Sequence, residues 1–429
     1  MANRPKRDRL VIERREALSR TLDLFSELIG VARRDAIDEA LGAARVQLVV
    51  RPEDLGTRQT QAAVYILASL LARSGIGLEA DLARTPRLVT LPGLDDPDFG
   101  RALRHAVTRM MPGAELHSPG GRPDIVVSVG PAAPPSGAAS LVRVAADGST
   151  AWVRRGTDEV PVWRPTDALT AIAAASLAAG EVHKDVVRRA SIGPIEVLDP
   201  QEPSFVVPFV LAGPIAIGHL EAISAGAITQ NLLLTLAAEE AISANVRLFD
   251  RDTVELSNAN RCPFVFIDRL DDPKVMRIAA LVPQRLQIEP VPRHLDAGTA
   301  GSIARRSTIV VGADDIAVRH RAQELEPSWL GIGATSHFLA LVTEHPAGSA
   351  CAGCAHARLG EDTAIIPTVS IVSFWAGYLL ALRLIARAAG NPYPPSRQVT
   401  NFWPLRPTSI FEHPLAVNPH CPLTMHRSS

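Results

Sequence analysis

Along its first 200 residues the chain alternates apolar stretches at helical spacing with short apolar runs. The spacing predicts a charged helix near 11–42, and further helices in "QAAVYILASLLARSG" and "FGRALRHAVTRMM". The runs "VQLVV", "RLVTL" and "DIVVSV" predict strands. Such alternation implies an α/β fold. "GPAAPPSGAAS" (130–140) reads as a loop, and "VLDPQEPS" (197–204) as a connector between domains. One α/β domain is therefore expected over 1–200 and a second over 201–429.

The second half continues the alternation, with strand and helix at 220–242, strand "NVRLFD" (245–250), a polar segment, a helix over 272–287 and strand "STIVVGAD" (307–314). These are βαβ units, and they predict a Rossmann-like parallel sheet with flanking helices. "LGIGA" and "FLALVTEH" add two strands before a cysteine pair, a long apolar helix and a Pro-rich tail from Asn391. The run from Ala364 to Leu382 has 19 residues without a charge, near the length that spans a bilayer. Its continuation into Arg383 and Arg387 at helical spacing favours a buried helix, so no membrane partner is expected.

Composition narrows the classes. Hydrophobic residues make up 47% of the 429, charged residues 21%, and the formal net charge is -1, so no basic excess points to nucleic acid. The charged N-terminal stretch lacks the apolar core of a signal peptide, and four cysteines do not make a disulfide framework. A cytoplasmic location is expected.

Two stretches compete as a phosphate turn. "AGPIAIGH" carries Gly213 and Gly218, whereas in "HLEAISAGAITQNLLLTL" (219–236) an apolar strand enters a small-residue turn and a helix. The acid that contacts a ribose lies about 20 residues beyond the turn, at the end of the second strand. Thr229 precedes Asp250 by 21 residues and Gly218 precedes it by 32, which selects Ser224–Thr229 and leaves "GPIAIG" as a loop. Gly226 is the retained middle glycine, where phosphate approaches the helix amino terminus. Ser224 and Thr229 replace the outer two.

Downstream, "DRDTVELSNANR" supplies Asp250, Asp252, Asn258, Asn260 and Arg261; Lys274 opens a helix; "VVGADDIAVRHR" ends a strand with Asp314 and Asp315, followed by Arg319. Taken singly, each has an ordinary structural role as a helix cap or a solvated first-turn residue. Together they fall at the carboxyl ends of strands, where open α/β sheets bind ligands. Arg261 and Lys274 suit a triphosphate, and the carboxylate of Asp314 suits Mg²⁺.

With these residues the chain resembles the ThiF/MoeB/HesA superfamily, adenylating enzymes related to ubiquitin-activating enzymes. The likeness rests on "DRDTVELSNANR", Lys274, "ADDIAVR" and "CAGC", and covers roughly 205–425. It implies ATP-dependent adenylation of a C-terminal carboxylate, with Asp252 or Asp250 on the ribose. Asn258, Arg261 and Lys274 would face the phosphates, and Asp314 would handle Mg²⁺, with Asp315 beside it. It also implies a homodimer acting on a ubiquitin-like or sulfur-carrier protein, or on a peptide. The departures are the glycine turn, Asp315 in place of an Asn, and Cys262 in place of a Gln.

Family members often hold structural Zn²⁺ on two C-x-x-C pairs. Here Cys351 and Cys354 form the first, while "HCPLTMH" offers Cys421, Thr424 in place of a cysteine, and His426 or His420 as fourth ligand. No cysteine lies between Ala355 and His420, where ubiquitin-activating relatives carry their acyl acceptor, and Cys262 reads as a packing residue. "ALTAIAAASLAAGEVHKDVV" resembles the buried helix that closes such a fold, which suggests a degenerate, related α/β half in the N-terminal 200 residues. Two other functions compete. A ThiF-like scaffold that dimerises and binds a peptide without catalysis fits the eroded glycine turn. An NAD-dependent oxidoreductase needs a hydride-transfer acid or base that the sequence does not display.

Overall fold

The protein is described by a computed structural model covering residues 4–135, 137, 139–157, 161–191, 193–356, 367–407 and 410–423. It is α/β throughout, with two eight-stranded sheets flanked by helices. The first contains β1 (Arg45–Val50), β2 (Gly77–Ala80), β3 (Leu116–His117), β4 (Ile125–Val129), β5 (Ser140–Gly148), β6 (Thr150–Arg155), β7 (Trp163–Pro165) and β8 (Ser204–Val206). Its order is β3-β2-β1-β4-β5-β6-β8, with β7 paired to β5.

The second contains β9 (Ile215–Ile223), β10 (Ile242–Phe249), β11 (Leu286–Val291), β12 (Thr308–Val311), β13 (Trp329–Ser336), β14 (Leu339–Pro346), β15 (Val399–Phe402) and β16 (Ile410–His413). Its order is β11-β10-β9-β12-β13-β14-β15-β16, parallel from β11 to β13 and antiparallel beyond. β9 and β12 are adjacent and parallel, so chain order reverses between them, and a crevice opens at their carboxyl ends.

Helix Ala227–Ala238 is apolar and almost wholly buried, because it lies between the sheet and helix Ser370–Ala388. The latter is long and apolar enough to cross a membrane, yet its side chains from Ser370 to Ala386 are buried inside the protein. The two helices cross at Gly377, where an added Cβ would sit 2.5 Å from the Ile228 carbonyl oxygen and 2.6 Å from the Leu232 nitrogen. In the first half, Ala168–Arg188 packs the same way on Arg58–Arg73, and one hydrophobic core runs through both halves.

Several elements differ from the sequence expectation. The charged N-terminal stretch is three helices, Arg4–Ala17, Ser19–Ile29 and Arg34–Ala43, with Gly30 at φ +98 after the second. "RLVTL" is not a strand. Its backbone is satisfied irregularly instead, with Leu88 N–H donating to Gln61 and Arg87 N–H to Pro97. The neighbour of β1 is the short β2. "GPIAIG" is not a loop, since β9 begins at Ile215 and Gly218 (φ +78) takes a β-bulge against Ser243–Asn245. The helix expected over 272–287 is Lys274–Leu281. Pro283 follows, and edge strand β11 takes the rest, which suits its Pro290.

Replacing Gly377 by Ala would add about 1 kcal/mol of helix propensity and lose about 3 kcal/mol to overpacking. A net loss near 2 kcal/mol is expected in denaturant unfolding. A variant as stable as the parent would show that the crossing can relax.

Candidate functional site

The crevice is a cavity of about 380 Å³ lined by Ser224, Gly226, Asp250, Asp252, Asn258, Arg261, Lys274, Asp314 and Asp315, whereas Thr229 and Asn260 are buried behind it. That volume lies within the range of small-molecule sites. Gly226 caps helix Ala227–Ala238, so its first-turn amides face the cavity. Ser224 has φ +77, the left-handed conformation that a glycine would adopt freely, and its Oγ accepts the Gly226 N–H at 3.1 Å. Opposite Thr229, which stands where the third glycine would, lies Gly312. A Cβ on Gly312 would meet Thr229 Oγ1 at 2.4 Å, so the facing strand end supplies the missing space.

Asp250 ties this turn to the end of β10. Its Oδ2 accepts Ala225 N–H at 2.6 Å, and its Oδ1 accepts Asp252 N–H at 2.8 Å. Asp252 in turn pairs with Lys274 at 3.2 Å, and its carbonyl accepts the Lys274 N–H. Lys274 is 7% exposed, which leaves its ammonium facing the cavity on a nearly immobile stem. Asp315 caps helix Ile316–Glu324 through Ala317 N–H. Among the described residues Asp314 is exposed and accepts no hydrogen bond, so its carboxylate is available to a cation.

The segment between Asp252 and Lys274 carries little regular structure, and buried polar groups fix it. Glu255 and Asn258 form a capping box around a single 3₁₀ turn. Arg261 donates to the Ser257 carbonyl at 2.6 Å and to Asn260 Oδ1 at 2.8 Å. Asn260 is wholly buried and donates to Thr21 Oγ1. From helix Ala227–Ala238, Gln230 accepts Phe264 N–H and donates to the Ala225 carbonyl, while Asn231 donates to the Ala227 and Arg261 carbonyls. One helix thus holds both the phosphate turn and the arginine segment.

The sequence assigns no role to the other lining residues, although it places Arg319 beside the Asp314–Asp315 pair. Arg20, on helix Ser19–Ile29 of the N-terminal half, reaches the cavity. Burial, and then the Arg261 guanidinium, hold it below the usual arginine range, while Asp314 opposes the shift. Arg319, 7% exposed, donates to the Ala313 carbonyl at 3.0 Å and lies 3.2 Å from His356 Nδ1; burial lowers its pKa. His294, Thr335, Thr368 and Ser373 complete the walls. Their positions depend on tertiary packing between segments far apart in the chain, which no local motif records.

Cys351, Cys354 and Cys421 lie within 4.8 Å of one another, with Sγ···Sγ distances of 3.8 Å (351–354) and 3.4 Å (351–421). Thiolates about 2.3 Å from one tetrahedral Zn²⁺ stand at comparable separations. Asn418 N–H donates to Cys354 Sγ, a contact that would orient a ligating sulfur. Burial and the neighbouring thiols push Cys351 up to about 12, so without a cation it remains a thiol. The residues present therefore fit zinc. His426 lies outside the described residues, and His420 is exposed and apart from the three sulfurs.

No family model matches the chain, and no curated protein matches it. Among solved structures it is similar to Escherichia coli MccB. With AMPCPP and MccA bound, that protein shows 15% identity over 48% of this chain and 66% of MccB, at TM-score 0.40. MccB with ATP shows 14% identity over 66% of this chain and 97% of MccB, also at TM-score 0.40. At this level of likeness nothing about MccB is carried to this chain.

Elemental analysis of metal-replete protein should find about one zinc per chain, and Cys421→Ser should lower that content and the melting temperature together. Less than about a tenth of an equivalent would mean that the cluster is a small thiol core.

Proposed function

We propose that the protein is an ATP-dependent adenylyltransferase that activates the C-terminal carboxylate of a small protein or peptide. The observation that supports this is the convergence of nine sequence-nominated residues, with Arg20 and Arg319, on one crevice at a reversal of strand order. The cavity holds guanidinium or ammonium groups at Arg20, Arg251, Arg261, Lys274 and Arg319, beside a capped helix amino terminus. These are the features that bind and orient a triphosphate.

In the proposed reaction a carboxylate oxygen of the acyl substrate attacks the α-phosphorus of ATP. The bond from that phosphorus to the bridging oxygen of the β-phosphate breaks, pyrophosphate leaves with the electron pair, and an acyl adenylate remains. The protein's part is to align the two anions and to offset the charge that grows on the leaving group. Arg261 and Lys274, held by Asn260 and Asp252, take that part for the β- and γ-phosphates. Mg²⁺, carried by Asp314 and phosphate oxygens, would supply further neutralisation. Asp250 holds the turn against the sugar side of the crevice, and the first-turn N–H groups at Ala227 and Ile228, beyond the Gly226 cap, are those left for a phosphate.

Titration calorimetry with Mg·ATP should give saturable heat, and carboxylate-dependent exchange of pyrophosphate into ATP should follow once the acyl substrate is supplied. Asp314→Ala should lower exchange about a hundredfold or more with an unchanged melting temperature. A folded protein that gives no heat at millimolar nucleotide would favour a peptide-binding scaffold, and an active Asp314→Ala variant would show the metal carboxylate to be another residue.

No covalent thioester is expected on the protein. Cys262 is 2% exposed, and the three other cysteines form the sulfur cluster. A reductant-sensitive adduct formed with ATP and substrate, and lost in Cys262→Ala, would overturn this.

A further inference from the structure

The two sheets have the same plan. In each, the first six strands run in the order third, second, first, fourth, fifth, sixth, parallel up to the fifth and antiparallel between fifth and sixth. Helix Arg58–Arg73 joins the first two strands of one sheet as Ala227–Ala238 joins those of the other. An isolated bridge precedes the next helix in both halves, Pro86 to Asp98 before Phe99–Met110 and Thr253 to Pro273 before Lys274–Leu281.

A buried ion pair repeats with its polarity exchanged. Glu181 stands thirteen positions after the start of helix Ala168–Arg188 and pairs with Arg155, five positions after the start of β6. Arg383 stands thirteen positions after the start of Ser370–Ala388 and pairs with Glu344, five positions after the start of β14. Strand order, bridge and ion-pair position thus coincide between the halves, as they would in two copies of one unit.

Only one copy keeps the chemistry. By the bridge register Phe99 stands where Lys274 does, and Ala132 and Ala133 follow β4 where Asp314 and Asp315 follow β12. Trp163 closes over the first-half turn, its Nε1–H on Thr60 Oγ1 at 2.7 Å and its Cβ 2.6 Å from where a Cβ on Gly130 would be.

The first copy instead completes the second. Glu239 accepts the Ala168 N–H at the start of the first closing helix, and Tyr378 Oη donates to the Leu169 carbonyl. Arg73 ends helix Arg58–Arg73 and is 1% exposed. It donates to the carbonyls of Ala259 (2.7 Å), Pro263 (3.0 Å) and Val265 (2.9 Å), on both sides of Arg261. A guanidinium fork is one of few groups that can satisfy three carbonyls of an irregular segment at once.

We propose that the N-terminal half is a nucleotide-free copy of the C-terminal unit, fused to it as a permanent partner, so that the protein works as a monomer with one nucleotide site whose arginine segment is set by Arg73 as a positioning residue. This replaces the homodimer implied by the family resemblance. The role of Arg73 rests on the ATP reading; the fused-partner arrangement does not.

Sedimentation equilibrium of the full chain, with and without Mg·ATP, should give the 45.8 kDa of one chain, and calorimetry one nucleotide per chain. A stable species of twice that mass, or two nucleotides per chain, would overturn the arrangement. Arg73→Met should raise KM for ATP about tenfold and Arg73→Lys about threefold, as the Arg261 segment loses its anchors. A merely structural Arg73 would lower the active fraction, hence apparent kcat, and leave KM at the parent value in both variants; that result would overturn the positioning role. If the Met variant does not fold, KM of the Lys variant decides. Absence of any nucleotide binding would sink the ATP reading and the role of Arg73 with it, while the sedimented mass would still decide the fused-partner arrangement.

Discussion

An irregular segment buried under a second structural unit must satisfy its own backbone, and the candidate site depends on how residues 255–266 do so. Helices and sheets pair their peptide groups internally, whereas this stretch closes only short turns on itself and leaves carbonyls such as those of Ala259, Pro263 and Val265 to outside donors. Partners come from three places: Gln230 and Asn231 on the adjacent helix, Thr21 through Asn260, and Arg73 from the other half. Each such bond fixes a carbonyl or amide next to a cavity residue. The polar satisfaction that makes the fold possible is thus also what orients Arg261.

Charge balance follows from that framework. Five cationic side chains and five carboxylates line the cavity. Four of the carboxylates are engaged: Asp250 with backbone amides, Asp252 with Lys274, Glu255 in a capping box and Asp315 at a helix start. Lys274, at 7% exposure, has its ion-pair partner in Asp252. The Arg261 guanidinium adds to burial in lowering the pKa of Arg20, and Asp314 opposes the shift.

The legible parts of the sequence were those whose chemistry is local to a strand end. β9, β10 and β12 carry their polar residues within a few positions of their carboxyl ends, so alternation and spacing together placed Ser224, Asp250 and Asp314 on one crevice. The hairpin of β5 and β6 was not foreseen, because Arg143, Arg154 and Arg155 break its apolar pattern; Arg155 pairs with Glu181 and Asp185, Arg154 with Glu202, and Arg143 donates to the Gly156 carbonyl. The helix expected over 272–287 overran its stop before Pro283 into the first two residues of β11, whose remainder had no strand assigned. Arg20 and Arg73 were invisible for a different reason. Each sits on an amphipathic helix where an arginine is ordinary, and only the packing of one half on the other brings it to the site.

The eroded glycine motif shows how the same geometry survives a change of residues. The first glycine of such a turn supplies a positive φ, the second lets phosphate approach, and the third lets helix and strand pack closely. Here Ser224 keeps the positive φ, at a conformational cost of about 1 kcal/mol, with its Oγ bonded within the turn. Gly226 remains. The third requirement has moved across the contact, where Gly312 gives the room that Thr229 takes. Close packing is a property of a pair of surfaces, so either side can yield the space, and a motif written for one strand cannot record the exchange. The loss of two glycines therefore changes which atoms meet at this turn and leaves its shape toward the cavity in place.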